Sequence, residues 1–164
     1  INNTGTAAGS SLSLVVNSLN EYYEMIKREK LGIPLGVNTL GIPNPEQVEA
    51  PYSGISKALL STALEGSELY FTGNGYQGLD DYLDAAGAQK DGQDLSELIE
   101  AQYLKAQESL LPIDGSLQEA ITQDTDDLNA AYEELTRVIP LIKTDMPSMI
   151  CVAITYIDNP SDSD

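Results

Sequence analysis

The sequence predicts an all-α protein, an up-and-down bundle of four or five amphipathic helices. Three observations favour this class. Apolar residues recur at helical spacing along most of the chain, strand signals are few, and turn residues divide the chain into helix-sized segments. With 164 residues, 41% of them hydrophobic, the chain can bury one core. We divide it into a lead-in at 1–10, a helical domain at 11–157 and an acidic tail at 158–164.

The first helix is expected over about 11–30, where apolar side chains form one stripe. Its last turn carries Lys27, Arg28 and Lys30, which suit the negative end of a helix. We expect Gly32 to end this helix and Pro34 to prevent its continuation. The segment 32–52 is then an irregular loop rich in Gly and Pro, and loops of this length are often functional.

Four further helical segments are expected, and the end of the chain is ambiguous. One begins near Ser53 or Ser56, and two others span about 79–86 and 94–111. The last begins near Asp114 or Ser116, where a Ser-x-x-Glu capping box starts, and its apolar pattern reaches Ile142. Pro140 lies inside this pattern and should kink or end the helix. Residues 149–157 fit either a helical turn or an extended segment. Within them, we expect Cys151 to be a small buried hydrophobe.

Composition argues against several classes of function. A net charge of −18 disfavours nucleic-acid binding, and no apolar run is long enough for a transmembrane helix. The chain has no histidine, which removes the commonest general base and zinc ligand. An EF-hand loop counted from Asp124 fails at its sixth and twelfth positions, so we assign no metal ligands and no catalytic residues. Enzymatic activity stays undecided, and its absence is favoured.

The strongest local constellation of polar residues is Glu46, Glu49, Tyr52, Ser53 and Ser56, around a Pro-Tyr-Ser turn at a helix start. A ligand site and a plain capped helix N-terminus explain it about equally well. As ligand-binding residues we select Glu49, Tyr52, Ser53 and Ser56, with Arg28 and Lys30 nearby.

Several segments resemble one protein family in their order along the chain. Residues 30–36 read Lys-Leu-Gly-Ile-Pro-Leu-Gly, and residues 49–56 read Glu-Ala-Pro-Tyr-Ser-Gly-Ile-Ser. Together with segments 65–73, 78–83 and 152–158, they resemble the second half of imelysin-like proteins, the M75 peptidase-type family. The resemblance implies two helical bundles with a site between them, of which this chain is the C-terminal one. It also implies export to the bacterial periplasm or outer membrane, often as a lipoprotein, and a role in iron uptake.

The family signature Gly-x-His-x-x-Glu belongs to the first bundle and is missing from this chain. The first hypothesis is therefore a binding component of iron acquisition whose cleft is lined by the segment 27–56. The second is half of a metallopeptidase whose His and Glu lie on another chain or on a missing N-terminal half. The third is a structural helical module. The cofactor is unknown, and iron or another divalent cation is expected only with the partner half that carries the signature.

Overall fold

The computed structural model describes residues 5–156, and the predicted acidic tail at 158–164 lies outside these residues. The chain folds as an all-α helical bundle, which confirms the predicted class. Two of the helical segments, named π1 and π2, are π-helical. In chain order the helices are α1 (Ser11–Met25), π1 (Ile26–Gly32), α2 (Ile33–Leu35), α3 (Ser56–Thr72), α4 (Leu79–Ala86), α5 (Leu95–Glu108), α6 (Leu117–Gln123), α7 (Asp126–Pro140), π2 (Leu141–Asp145) and α8 (Met146–Met149).

The four long helices form a closed ring around the core. Helix α1 contacts α3 and α7, and α5 contacts the same two helices. An aromatic cluster fills the centre, where Tyr23 meets Tyr103 edge-on at 5.5 Å between ring centroids and Phe71 stacks on Tyr103 at 6.3 Å. The Tyr103 hydroxyl is satisfied by Ser67 at 2.9 Å. Burial raises the pKa of both Tyr23 and Tyr103, so these phenols stay protonated and pack as neutral side chains in the core.

The first helix does not end where the sequence predicts. It continues beyond Gly32 and through Pro34 as π1 and α2, and it ends at Leu35. The actual stop is Gly36, whose φ of +82° is left-handed. A Cβ at this position would lie 2.2 Å from the Ile42 carbonyl oxygen, so the turn requires glycine. The connecting segment is therefore shifted to 36–55 instead of 32–52, and it contains the 3₁₀ turns Val37–Thr39 and Pro45–Gln47.

The single helix expected from Ser116 to Pro140 is divided into α6 and α7. Asp124 is extended, and its carboxylate accepts a hydrogen bond from the Asp126 backbone N–H at 3.0 Å. This local bond competes with helical bonding and begins a new helix. The Ser116–Glu119 capping box is present as expected. A small hairpin of β1 (Gln89–Lys90) and β2 (Gln93–Asp94) was not anticipated, although its Asp-Gly turn is a hairpin signal.

The last described residues run along α1 without regular structure. Helix α8 ends at Met149, and Asn17 then holds the chain, because its Oδ1 accepts from the backbone N–H groups of Thr155 and Tyr156. Of the segment 149–157 that the sequence left open, Met149 closes α8, a turn follows at 150–151, and residues 152–156 have no regular structure. Cys151 is exposed, with a φ of +54°, so its expected burial was wrong. Its apolar neighbours misled the prediction, since Ile150 and Val152 take the buried positions.

Candidate functional site

The two π-helices, π1 and π2, share one construction. In each, the residue that follows the π-helix donates its backbone N–H five residues back, from Ile33 to Arg28 and from Met146 to Leu141. A proline comes next in both cases, at Pro34 and Pro147. In a regular α-helix each ring would clash with the carbonyl four residues earlier. The wider π-turn avoids that clash, and such turns occur frequently at functional sites.

The proline after π2 leaves a buried carbonyl for a side chain to satisfy. The π pattern would pair the Ile142 carbonyl with residue 147, which is proline and has no N–H. Asn20 of α1 donates its Nδ2 to this carbonyl at 3.0 Å and also to the Val16 carbonyl at 2.9 Å. Asn20 is 1% exposed, and its Oδ1 has no partner among the described residues. Asn20 therefore joins α1 to π2.

Glu24 joins the two π-helices through its carboxylate. One oxygen lies 3.3 Å from the Lys27 ammonium of π1, and the other lies 3.0 Å from the Lys143 ammonium of π2. The Glu24 side chain is only 3% exposed, and the two lysines are 12% and 20% exposed. A buried carboxylate must be paired, and here two cations share it.

A shallow indentation opens beside Lys27. Its volume is about 20 Å³, which admits about one water-sized group. Five of its lining residues come from 27–56, and the sixth is Tyr132 of α7. The Lys27 ammonium lies 5.9 Å from the centre of the Tyr132 ring. The lining residues are Lys27, Arg28, Gly32, Val37, Asn38 and Tyr132.

Of the six predicted ligand-binding residues, the structure brings Lys30 and Glu49 together. The Lys30 ammonium and the Glu49 carboxylate form an ion pair that links π1 to the end of the loop. Arg28 lines the indentation, and its Nε donates to Glu29 at 2.9 Å. The basic residues of the predicted site therefore gather at π1, and Glu49 is tied to them.

The other three predicted residues divide into surface and core. Tyr52 is 98% exposed, and the exposed Ser53 donates its hydroxyl to the Ala50 carbonyl at 3.0 Å. Ser56 is 2% exposed, and its hydroxyl accepts from the Leu117 backbone N–H at 3.3 Å. Ser56 therefore fixes the start of α6 to the start of α3, and it faces protein rather than an open cleft.

A second, larger cavity of about 170 Å³ lies between α6 and α7. Its lining includes Asp114, Asp124 and Asp127. Within the described residues, no three or more Cys, Asp or Glu side chains are grouped so that they could hold a metal ion. The indentation at π1 thus remains the better candidate, because it coincides with the predicted segment.

Sequence reasoning missed the residues that α1, α7 and π2 contribute to the site. Asn20, Glu24, Tyr132 and Lys143 lie on helical faces that looked like ordinary amphipathic surface. One signal was available, since a proline follows a basic cluster at Lys27–Pro34 and a single lysine at Lys143–Pro147. Half of the eight Lys and Arg residues, Lys27, Arg28, Lys30 and Lys143, lie in π1 and π2.

Comparison with known proteins places the sequence in one family. The family model described as Imelysin (Peptidase_M75) matches residues 3–141. This range includes π1 and the whole predicted site, whereas the resembling segment at 152–158 lies beyond it. No curated protein and no solved structure matches the chain. Over residues 5–156 we find no helix long and apolar enough to cross a membrane.

Proposed function

The chain belongs to the imelysin family, and from this premise we propose that it acts as a binding component of bacterial iron acquisition. Membership of this family suggests a secreted bacterial protein. The proposal adds export to the periplasm or the outer-membrane surface and a ligand-binding role for the segment 27–56. The observation that carries the role is the indentation at π1, which this segment lines almost alone.

The surroundings of the indentation favour binding over a purely structural role. The segment 37–55 keeps several large apolar side chains in solvent: Val37, Leu40, Ile42, Tyr52 and Ile55. Leu40 is 99% exposed and Tyr52 is 98% exposed. Exposed apolar side chains beside a charged indentation are typical of a surface that receives a ligand or partner. In a purely structural helical module, these exposed apolar side chains would have no role.

A growth and binding experiment tests the role of this surface. The double variant Tyr52→Ala, Ser53→Ala should grow more slowly than the natural protein in iron-limited medium and should bind ferric citrate more weakly. Tyr76→Ala is the matched control, because Tyr76 is also a tyrosine on a turn and is 86% exposed. Unchanged growth and unchanged binding in the double variant would rule out a role for this turn in iron acquisition.

We also propose that a second bundle completes the site, on a partner chain or another part of the same protein. The support is the absence of histidine from this chain, combined with the signature that the family resemblance implies for the first bundle. The native protein purified from its source should carry or retain a chain with Gly-x-His-x-x-Glu, detectable by intact-mass analysis. A homogeneous native species that lacks such a segment would contradict this proposal, and with it the metallopeptidase alternative.

A further inference from the structure

We propose that the indentation at π1 binds a carboxylate group, with the Lys27 ammonium as its principal contact and Asn38 at its rim. The inference rests on the proposed function, because it assigns a ligand class to the same surface. It does not require the ligand to carry iron. The indentation therefore selects anionic ligands, in a protein whose net charge of −18 repels them elsewhere.

The Lys27 ammonium has hydrogen-bonding capacity to spare. An ammonium group offers three donors. Lys27 makes one ion pair among the described residues, at 3.3 Å to one oxygen of Glu24. The other oxygen of Glu24 is engaged by Lys143 at 3.0 Å. The partner that holds Lys27 in place is thus shared with a second cation, and Lys27 also lines the indentation.

Desolvation strengthens the attraction at this position. The Lys27 side chain is 12% exposed, so a carboxylate that reaches it meets a charge with little water around it. Electrostatic interactions are stronger in such surroundings than at an open surface. The chain's other cations include Lys105 on the exposed face of α5, where an anion would be screened by solvent.

The shape of the indentation limits what can enter. A volume of about 20 Å³ accepts roughly one oxygen-sized group. A Cβ on Gly32 would lie 3.1 Å from the Tyr132 ring, so glycine allows that ring to approach π1 closely. The rest of a ligand would lie outside, over the half-exposed Val37 and the exposed Asn38. The ligand is therefore larger than the indentation and inserts only one anionic group.

The test has to separate two sources of carboxylate groups. One is a free ligand such as citrate, alone or as its ferric complex. The other is the chain's own acidic sequence at 158–164, which lies outside the described residues and carries Asp158, Asp162 and Asp164. Both sources carry the same chemical group. The variant Asp158→Asn, Asp162→Asn, Asp164→Asn removes the internal source and keeps the chain at full length.

Citrate is titrated into the full-length protein by calorimetry, and backbone amide shifts of π1 are followed by NMR. We expect binding that Lys27→Met weakens by about tenfold or more, because a charge-assisted hydrogen bond is lost. Glu24 then keeps Lys143 as its partner, so this variant should fold. Gly32→Ala retains every charge but fills the indentation, and it should weaken binding similarly. Lys105→Met is the control that lowers the net charge equally without touching the site.

Four outcomes are informative. Tighter citrate binding in the triple asparagine variant would show that the chain's own carboxylates compete for the site, and it supports the proposal. Equal binding in both backgrounds would identify the external ligand as the sole source, which also supports it. No citrate binding in either background, or binding unaffected by Lys27→Met and Gly32→Ala, overturns it. Lys27-dependent citrate binding with normal iron-limited growth would preserve this inference and defeat the proposed function.

Discussion

The two π-helices share one local sequence feature, a proline just after the helix, but they lie in different surroundings. Each is followed, after one residue, by a proline, and π1 carries three basic residues whereas π2 carries Lys143 alone. At π2 the carbonyl without a backbone partner, that of Ile142, is buried and receives the Asn20 amide. At π1 the equivalent carbonyl belongs to Glu29, whose side chain is 49% exposed. The first π-helix faces an indentation, whereas the second faces α1.

This difference distinguishes a structural π-helix, π2, from one that lines the proposed site, π1. Both relieve the same proline clash, so the clash alone does not make a site. At π2 the freed carbonyl is used to fasten two helices. At π1 three partly buried cations lie in one short segment, and Gly32 lets Tyr132 approach that segment closely. Glu24 belongs to both, since it pairs with a lysine from each π-helix.

Removing Glu24 should have the largest effect on stability, because it takes the carboxylate partner from one lysine in each π-helix. Glu24→Ala leaves two largely buried ammonium groups without their shared carboxylate. Breaking a buried ion pair costs about 3–5 kcal/mol of unfolding free energy. Glu49→Ala is the matched control, because it removes the partner of Lys30 at a more exposed ion pair worth about 0–1 kcal/mol. Urea denaturation of both variants measures the contrast, and equal losses would contradict the shared role of Glu24.

Asn20→Leu tests the structural use of π2 alone. It leaves the buried Ile142 carbonyl unpaired, at a cost of about 1–3 kcal/mol in unfolding free energy. Asn129→Leu is a control on the exposed side of α7, where a change within about 0.5 kcal/mol is expected. Adding Pro147→Ala to Asn20→Leu restores a backbone N–H near the Ile142 carbonyl. Thermal unfolding should show partial recovery, and no recovery would argue against the proline explanation of π2.

Ser56→Ala and Ser53→Ala distinguish the core and surface parts of the predicted turn. Ser56→Ala removes the acceptor of the Leu117 N–H and should cost about 1 kcal/mol of unfolding free energy. Ser53→Ala removes an exposed bond to the Ala50 carbonyl and should change stability by less than about 0.5 kcal/mol. Denaturant midpoints compare the two. The opposite order would mean that the exposed turn, like π2, has a structural role.

The smallest effect concerns Glu119, an exposed carboxylate that serves as a reference for the buried Glu24. Hydrogen bonds from the Ser116 backbone N–H and hydroxyl lower the pKa of Glu119 below its usual value. A lowered pKa contributes stability above the unfolded-state pKa, and this is lost as pH falls through the folded-state pKa. Carbon NMR titration of the Glu119 carboxyl should detect the shift. Ser116→Ala removes only the hydroxyl bond and should raise the pKa of Glu119 part of the way toward its usual value, whereas an unchanged titration would exclude the hydroxyl as a cause.

Some elements were predictable because their causes are local. The span 79–86 of α4 follows from its apolar spacing and the glycine after it, and the Ser116 capping box from a four-residue pattern. The end of α1 was not predictable in this way. Gly32 and Pro34 are typical of a helix end. The helix nevertheless continues to Leu35, because π1 packs against α3 and α7. Tertiary packing overrode a local terminator.

The sequence by itself determined the all-α class, the family and the gathering of cations near Pro34, since these depend on residue order and spacing. It did not determine which of the selected residues meet. Tertiary structure tied Lys30 to Glu49, placed Ser56 against α6, and left Tyr52 in solvent. It also placed Glu24 between lysines that lie 116 positions apart in the chain, at 27 and 143. Local patterns cannot encode such a meeting, because it depends on how four helices pack around one core.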